Sequence, residues 1–122
     1  MIFNEARTRG IPVITAAPVG FGSSVIVFTK DSMSFDDYFA VDDNTEDLHK
    51  PILFGLGLTP SLLQRKYFAP QKLDVTKKQA PSSVLGTLAA ADWAGTLVCK
   101  LVDNQSLEVA PVSYHFDPYV TR

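Results

Sequence analysis

A chain of 122 residues, 46% hydrophobic and 11% aromatic, is long enough for one domain (residues 1–122) with a real core. Its net charge of -2 and pI near 5.5 give no general attraction to nucleic acid or to an anionic membrane, so neither is an expected partner. The one cysteine, Cys99, excludes an intramolecular disulfide and any multi-cysteine metal site. No uninterrupted apolar run reaches the ~18 residues that span a bilayer. MIFNEARTRG mixes charges into a helical pattern and lacks the apolar centre of a signal peptide. A cytoplasmic location is the expectation.

Ile2 to Arg9 reads as the last turns of a helix, with Arg7 and Arg9 near its C-terminal end and Gly10 as the terminating glycine. Ile11 to Ala17 carries no charge and little alternation, the pattern of a strand covered on both faces, with Pro12 at its start. Pro18-Val19-Gly20-Phe21-Gly22 is the expected turn, and Ser24 to Thr29 the second strand. So short a connection favours antiparallel pairing.

Lys30 to Lys50 holds seven of the thirteen acidic residues, which marks Asp42 to Asp47 as a solvated loop. Within it, Ser34 is positioned to cap a short helix with Asp36 and Asp37 in its first turn. Pro51 to Pro81 is basic, with Arg65, Lys66, Lys72, Lys77 and Lys78. Ile52 to Leu56 is apolar, and Thr59-Pro60-Ser61 reads as a helix start with threonine as N-cap and proline at N1. Ser82 to Val102 is the clearest element, a long helix charged only at Asp92 and Lys100. Leu85, Leu88, Trp93, Leu97 and Leu101 recur along it among glycines and alanines. A helix apolar nearly all round is expected to be buried on more than one side, with Leu88, Trp93 and Leu97 between the sheet and another layer. A last strand is expected from Val109 to Phe116.

Taken in order, several segments resemble the ThiF/HesA/MoeB family, the ubiquitin-activating-enzyme-like adenylating proteins. They are Phe3-Asn4-Glu5-Ala6 with Arg9-Gly10-Ile11-Pro12-Val13-Ile14, then Gly20 and Gly22 before an apolar strand, then Met33-Ser34-Phe35-Asp36-Asp37-Tyr38-Phe39. Pro81-Ser82-Ser83 heading a small-residue helix with Lys100 near its end, and Tyr114-His115-Phe116-Asp117-Pro118-Tyr119, complete the series. The resemblance covers nearly the whole chain. It implies an α/β fold, the C-terminal half of a Rossmann-like adenylating domain. That half would be a small mixed sheet of about three strands packed by a long apolar C-terminal helix and shorter helices. It implies an adenylyltransferase that activates the C-terminal carboxylate of a protein or peptide, and that is catalytically incomplete by itself. Homodimers, a separate N-terminal half and a ubiquitin-like protein are the partners that follow from it.

In such enzymes a glycine-rich loop after the first strand binds ATP, and an upstream aspartate serves the magnesium nucleotide. By the resemblance these precede Met1, so ATP and Mg are expected only with the other half, and no cofactor in this chain. The sequence has no GxGxxG. Its G-x-G spacings are Gly20-Phe21-Gly22, between two strands, and Gly55-Leu56-Gly57, so neither follows the strand–loop–helix rule. The CxxC zinc pairs of many members are absent, and the segment that carries a thioester cysteine in some members, Lys30 to Pro81, has none. A non-catalytic interaction or dimerisation module derived from the family is the alternative.

The residues left as candidates for holding a substrate's tail are Gly20, Phe21, Gly22 and Asp117. The glycines are read in two ways, as the border of a groove that backbone approaches closely or as turn residues with positive φ. Asp117 before Pro118 is likewise either a site residue or a turn former. His115 has no second ligand beside it, Cys99 reads as a small buried hydrophobe, and no Ser-His-Asp motif is present. No catalytic or metal-binding residue is expected. The basic residues from Arg65 to Lys78 read as a solvated face, or as a surface for an acidic partner or for the chain's own acidic loop.

Overall fold

The computed structural model describes residues 2–47, 49–59, 67 and 82–119. The chain runs α1 (Ile2–Thr8), β1 (Val13–Val19), β2 (Gly22–Phe28), α2 (Phe35–Phe39), α3 (Lys50–Leu58), α4 (Val84–Val102) and β3 (Ser113–Phe116). It is an α/β arrangement around a three-stranded sheet in the order β1-β2-β3. The sheet is antiparallel at both interfaces rather than mixed. The one parallel step outside the strands is an isolated bridge between Gly20 and Ser82.

β2 is the central strand, and all seven of its residues are buried. A charge-free run suits that position because a buried charge would need a partner. Its alternation separates two cores. Val25 and Val27 face α4 and meet Leu97, Ile14, Ala16, Trp93 and Tyr114. Ile26 and Phe28 face the other way, onto Phe35, Phe39, Val41 and Ala110. There the rings of Phe3 and Phe35 stack at 3.9 Å, and Arg7 of α1 donates to the Thr29 carbonyl at 2.8 Å.

The helix ends follow from local chemistry. Gly10 has φ +69°, with Gly10 N–H bonded to Arg7 O and Ile11 N–H to Ala6 O. That is the two-bond glycine termination. Ser34 caps α2 by accepting from Asp37 N–H at 3.1 Å, and Ser83 caps α4 by accepting from Gly86 N–H at 3.2 Å. Thr59 does not open a helix. It follows the end of α3 and donates its hydroxyl to Gly55 O at 2.9 Å. The helix expected from Pro60, and the basic residues Arg65, Lys66, Lys72, Lys77 and Lys78, lie outside the described residues.

Several boundaries differ from expectation: β1 begins at Val13 rather than Ile11, so Pro12 precedes it, β2 runs from Gly22 to Phe28 rather than from Ser24 to Thr29, and α4 begins at Val84 rather than Ser82. β1 continues through Pro18 and Val19, which is possible because β1 is an edge strand and Pro18 need not donate outward. The five-residue turn therefore shrinks to Gly20-Phe21, closed by the Val19–Gly22 pair. β3 begins at Ser113 rather than Val109, although Ala110 N–H still bonds Val27 O at 2.8 Å.

The larger correction concerns α4, which packs on β1 and β2 by one side only. Gly86, Ala90 and Leu97 are its buried residues. Leu88 is 62% exposed and Cys99 is exposed, so neither is the buried residue expected. The reason is steric. Gly86 and Ala90 let the helix backbone come close to the hairpin, and at about 100° per residue that turns Leu88 to the opposite side.

Leu97, only 1% exposed, joins α4 to Val25 and Val27. Leu97→Ala is expected to cost ~2–5 kcal/mol through lost transfer energy and a residual cavity. A chemical-denaturation midpoint equivalent to less than ~1 kcal/mol would contradict this placement.

Candidate functional site

The hairpin turn is built into the N-terminal end of α4. Gly20 has φ +59° at the first central position of a two-residue turn, where glycine avoids the cost of a Cβ. Its carbonyl accepts twice from Ser83, from the backbone N–H at 3.0 Å and from the hydroxyl at 2.9 Å. A Cβ on Gly86 would lie 2.7 Å from Gly20 O and 2.8 Å from Gly22 O, so helix and turn meet backbone to backbone. A Cβ on Gly22 would collide with the Phe116 carbonyl.

Asp117 follows β3 directly and is 3% exposed. One carboxylate oxygen accepts from Tyr119 N–H at 2.9 Å and lies 3.4 Å from the Tyr67 hydroxyl. The rings of Tyr119 and Tyr67 sit 4.7 Å and 6.2 Å from that of Phe21. Gly20, Phe21, Gly22 and Asp117 are thus brought together at one end of the sheet, with Ser83, Gly86, Tyr67 and Tyr119 around them. Backbone geometry accounts for three of the four, through a positive φ at Gly20, close approach at Gly22 and a turn bond at Asp117. Phe21, half-buried among tyrosines, is not required by the turn. From Phe116 an open groove of about 290 Å³ runs beside α4, lined by Ala89, Asp92, Trp93 and Thr96.

The sheet face opposite α4 carries a row of polar groups. Thr15 Oγ1, Ser24 Oγ and His115 Nδ1 are buried with no hydrogen-bond partner among the described residues. Ser24 pairs with His115 in the register, and His115 Nε2 shares a hydrogen bond with Ser113 Oγ at 2.7 Å. Among the described residues no carboxylate reaches Nδ1, so within them this pair has no third member of a hydrolytic relay. Burial pushes the His115 pKa below its ordinary 6.5 by desolvating the imidazolium.

Among the described residues no three His, Cys, Asp or Glu side chains gather as metal ligands. Gly55-Leu56-Gly57 lies inside α3, where its N–H groups serve the helix rather than a phosphate cradle. Ser83 was legible only as part of a helix start, and Gly86 only as one of that helix's small residues. Their contacts with the turn cross more than forty positions and leave no local pattern. No protein-family model, curated protein or solved structure matches the chain.

Two outcomes test this geometry. Gly22→Ala is expected to destabilise by about 1–3 kcal/mol, since the Phe116 carbonyl belongs to a paired strand and cannot yield cheaply. Gly95→Ala, where a Cβ meets nothing within 4 Å, is expected to stabilise by up to ~1 kcal/mol through helix propensity alone. Equal effects in thermal melts would contradict the contact.

A third outcome follows from His115. The unfolded chain takes up a proton at the ordinary value near 6.5, before the folded one does. Its contribution to stability is therefore full above pH 6.5 and falls as pH drops below it, until the folded imidazole also protonates. His115→Gln is expected to flatten this part of the stability–pH curve, measured by urea unfolding between pH 7.5 and 5.

Proposed function

We propose that the chain is the C-terminal part of an adenylyltransferase of the ThiF/HesA/MoeB kind, with a Rossmann-like parent fold, and that its hairpin turn receives the extended tail of a protein or peptide substrate. The observation that carries this reading is the gathering of Gly20, Phe21, Gly22 and Asp117 against the start of α4. Gly20 is already covered by Tyr67 and Ser83, and Gly22 by the Phe116 carbonyl, so the tail would meet the turn at half-buried Phe21, which offers an aromatic contact. The Asp117 carboxylate repels another carboxylate, so the tail's end would lie beyond it. Nucleotide chemistry would come from a segment bearing a glycine-rich loop. The outer edge of β1, free of charge and unpaired among the described strands, is where such a segment would extend the sheet. A cytoplasmic setting suits a chain whose one thiol, Cys99, is exposed.

The second reading, a non-catalytic interaction module, is favoured by the exposed apolar side of α4.

The test is titration of the chain with Mg-ATP and, separately, with a small-residue peptide bearing a free C-terminal carboxylate. Mg-ATP is expected not to bind tighter than roughly 1 mM, about -4 kcal/mol. The peptide is expected to shift the amide resonances of Gly20 to Gly22 and Asp117, and Phe21→Ala to weaken it severalfold. Tight one-to-one Mg-ATP binding would overturn the incomplete-enzyme reading. Shifts spread elsewhere, or none at millimolar peptide, would overturn the tail site.

A further inference from the structure

The side of α4 turned away from the sheet is apolar along its length. Val84, Leu88, Val98 and Val102 are 71%, 62%, 50% and 74% exposed, and Ala91 and Gly95 between them are exposed as well. The six are separated alternately by four and three residues, so they form a single stripe. The stripe reads large, large, small, small, large, large. Reversed end for end it is the same stripe, and Val84 then stands opposite Val102, Leu88 opposite Val98 and Ala91 opposite Gly95.

We propose that this stripe is a self-association surface, on which a second copy of the chain lays its own α4 antiparallel about a twofold axis between Ala91 and Gly95. The pattern selects that occupant. In an antiparallel pair the two small residues of each helix meet at the centre, where backbones approach most closely, and the branched residues interlock at both ends. In a parallel pair Gly95 would face Gly95 and leave a gap beside Ala91. The six residues present at most roughly 600 Å² per copy, so full coverage would bury about 1,200 Å² in the pair, the lower end of what stable interfaces bury. An apolar patch of this size lies at the top of the range for monomers, about 300–600 Å², where patches often serve an interaction.

Asp92 flanks the stripe on the side of the Phe116 groove and would approach its own copy across the axis. It is the one unfavourable contact in the arrangement, and it lies at the rim. α4 is also long and apolar enough to cross a membrane, but crossing would strip Leu97 from Val25 and Val27. The inference stands on α4 alone and does not depend on the tail site.

Sedimentation equilibrium of the full chain from 1 to 200 μM is the test. A concentration-dependent shift toward twice 13.4 kDa is expected. Leu88→Glu and Gly95→Leu should each weaken it at least tenfold with an unchanged circular dichroism spectrum, since position 95 meets nothing within the protomer. In a Cys99→Ser background, Asp92→Cys should cross-link two copies under mild oxidation. Val84→Cys, whose copies lie at opposite ends of the pair, should not. A constant single-chain mass would overturn the proposal, as would a dimer indifferent to both stripe variants or cross-linking at position 84 in preference to 92. Partition of the chain into phosphatidylcholine vesicles in place of dimerisation would do the same.

Discussion

The rest of the structure depends on the two hydrogen bonds that Ser83 donates to the Gly20 carbonyl, one from its backbone N–H and one from its hydroxyl. That carbonyl sits at the tip of the β1–β2 hairpin, and Ser83 is the residue that starts α4. One serine therefore caps the helix and fastens it to the turn. A neutral hydrogen bond contributes only about 1 kcal/mol net, so the strength of the joint lies elsewhere. Gly86 and Gly22 remove the side chains that would hold helix, turn and β3 apart. The hydrogen bonds set the register and backbone contact supplies the packing.

From this joint α4 runs back over β1 and β2, and β2 becomes a strand with no exposed residue. The short helices on the other face are attached differently. Their contact is aromatic, through Phe3, Phe28, Phe35, Tyr38, Phe39 and Phe54, with tilted and edge-on ring pairs. One face of the sheet is thus closed by Gly86 and Ala90 at short range beside the turn and by Leu97 and Trp93 farther along α4, the other by large rings. The glycines held against backbone, Gly22 and Gly86, belong to the joint of turn and α4, whereas Gly57 on the other face sits against the Phe39 ring.

Much of this was legible from residue order. The hairpin followed from a charge-free run interrupted by glycines, the start of α2 from Ser34, the start of α4 to within two residues from Ser82, and the end of α1 from Gly10. The four turn residues proposed as a site do meet. What periodicity could not reveal was which side of α4 is buried. Leucine spacing points to Leu85 and Leu88, whereas the contact is made by Gly86 and Ala90 because the partner is backbone and not side chain. For the same reason Cys99 is exposed, although the apolar sequence around it reads as buried. Pro18 misled in the opposite direction, because its place in β1 depends on that strand being at an edge, a property of the whole sheet rather than of the local sequence.

The turn and the outer face of α4 are therefore not independent surfaces. Gly86 lies on the inner side of the same rigid helix that carries Leu88 and Gly95 outward, and 2.7 Å separates its Cβ position from Gly20 O. A close-packed contact has no slack to absorb a shift of the helix. Whatever settles on the outer face must leave α4 where it is or carry the turn with it. The close approach of Gly86 to the Gly20 and Gly22 carbonyls and the Ser83 hydrogen bonds oppose rotation of α4 toward the hairpin. An apolar stripe on a fixed helix loses little backbone freedom when it is covered, and this lowers the entropic cost of association. The glycines that shape the turn thus also hold rigid the surface on the far side of the helix.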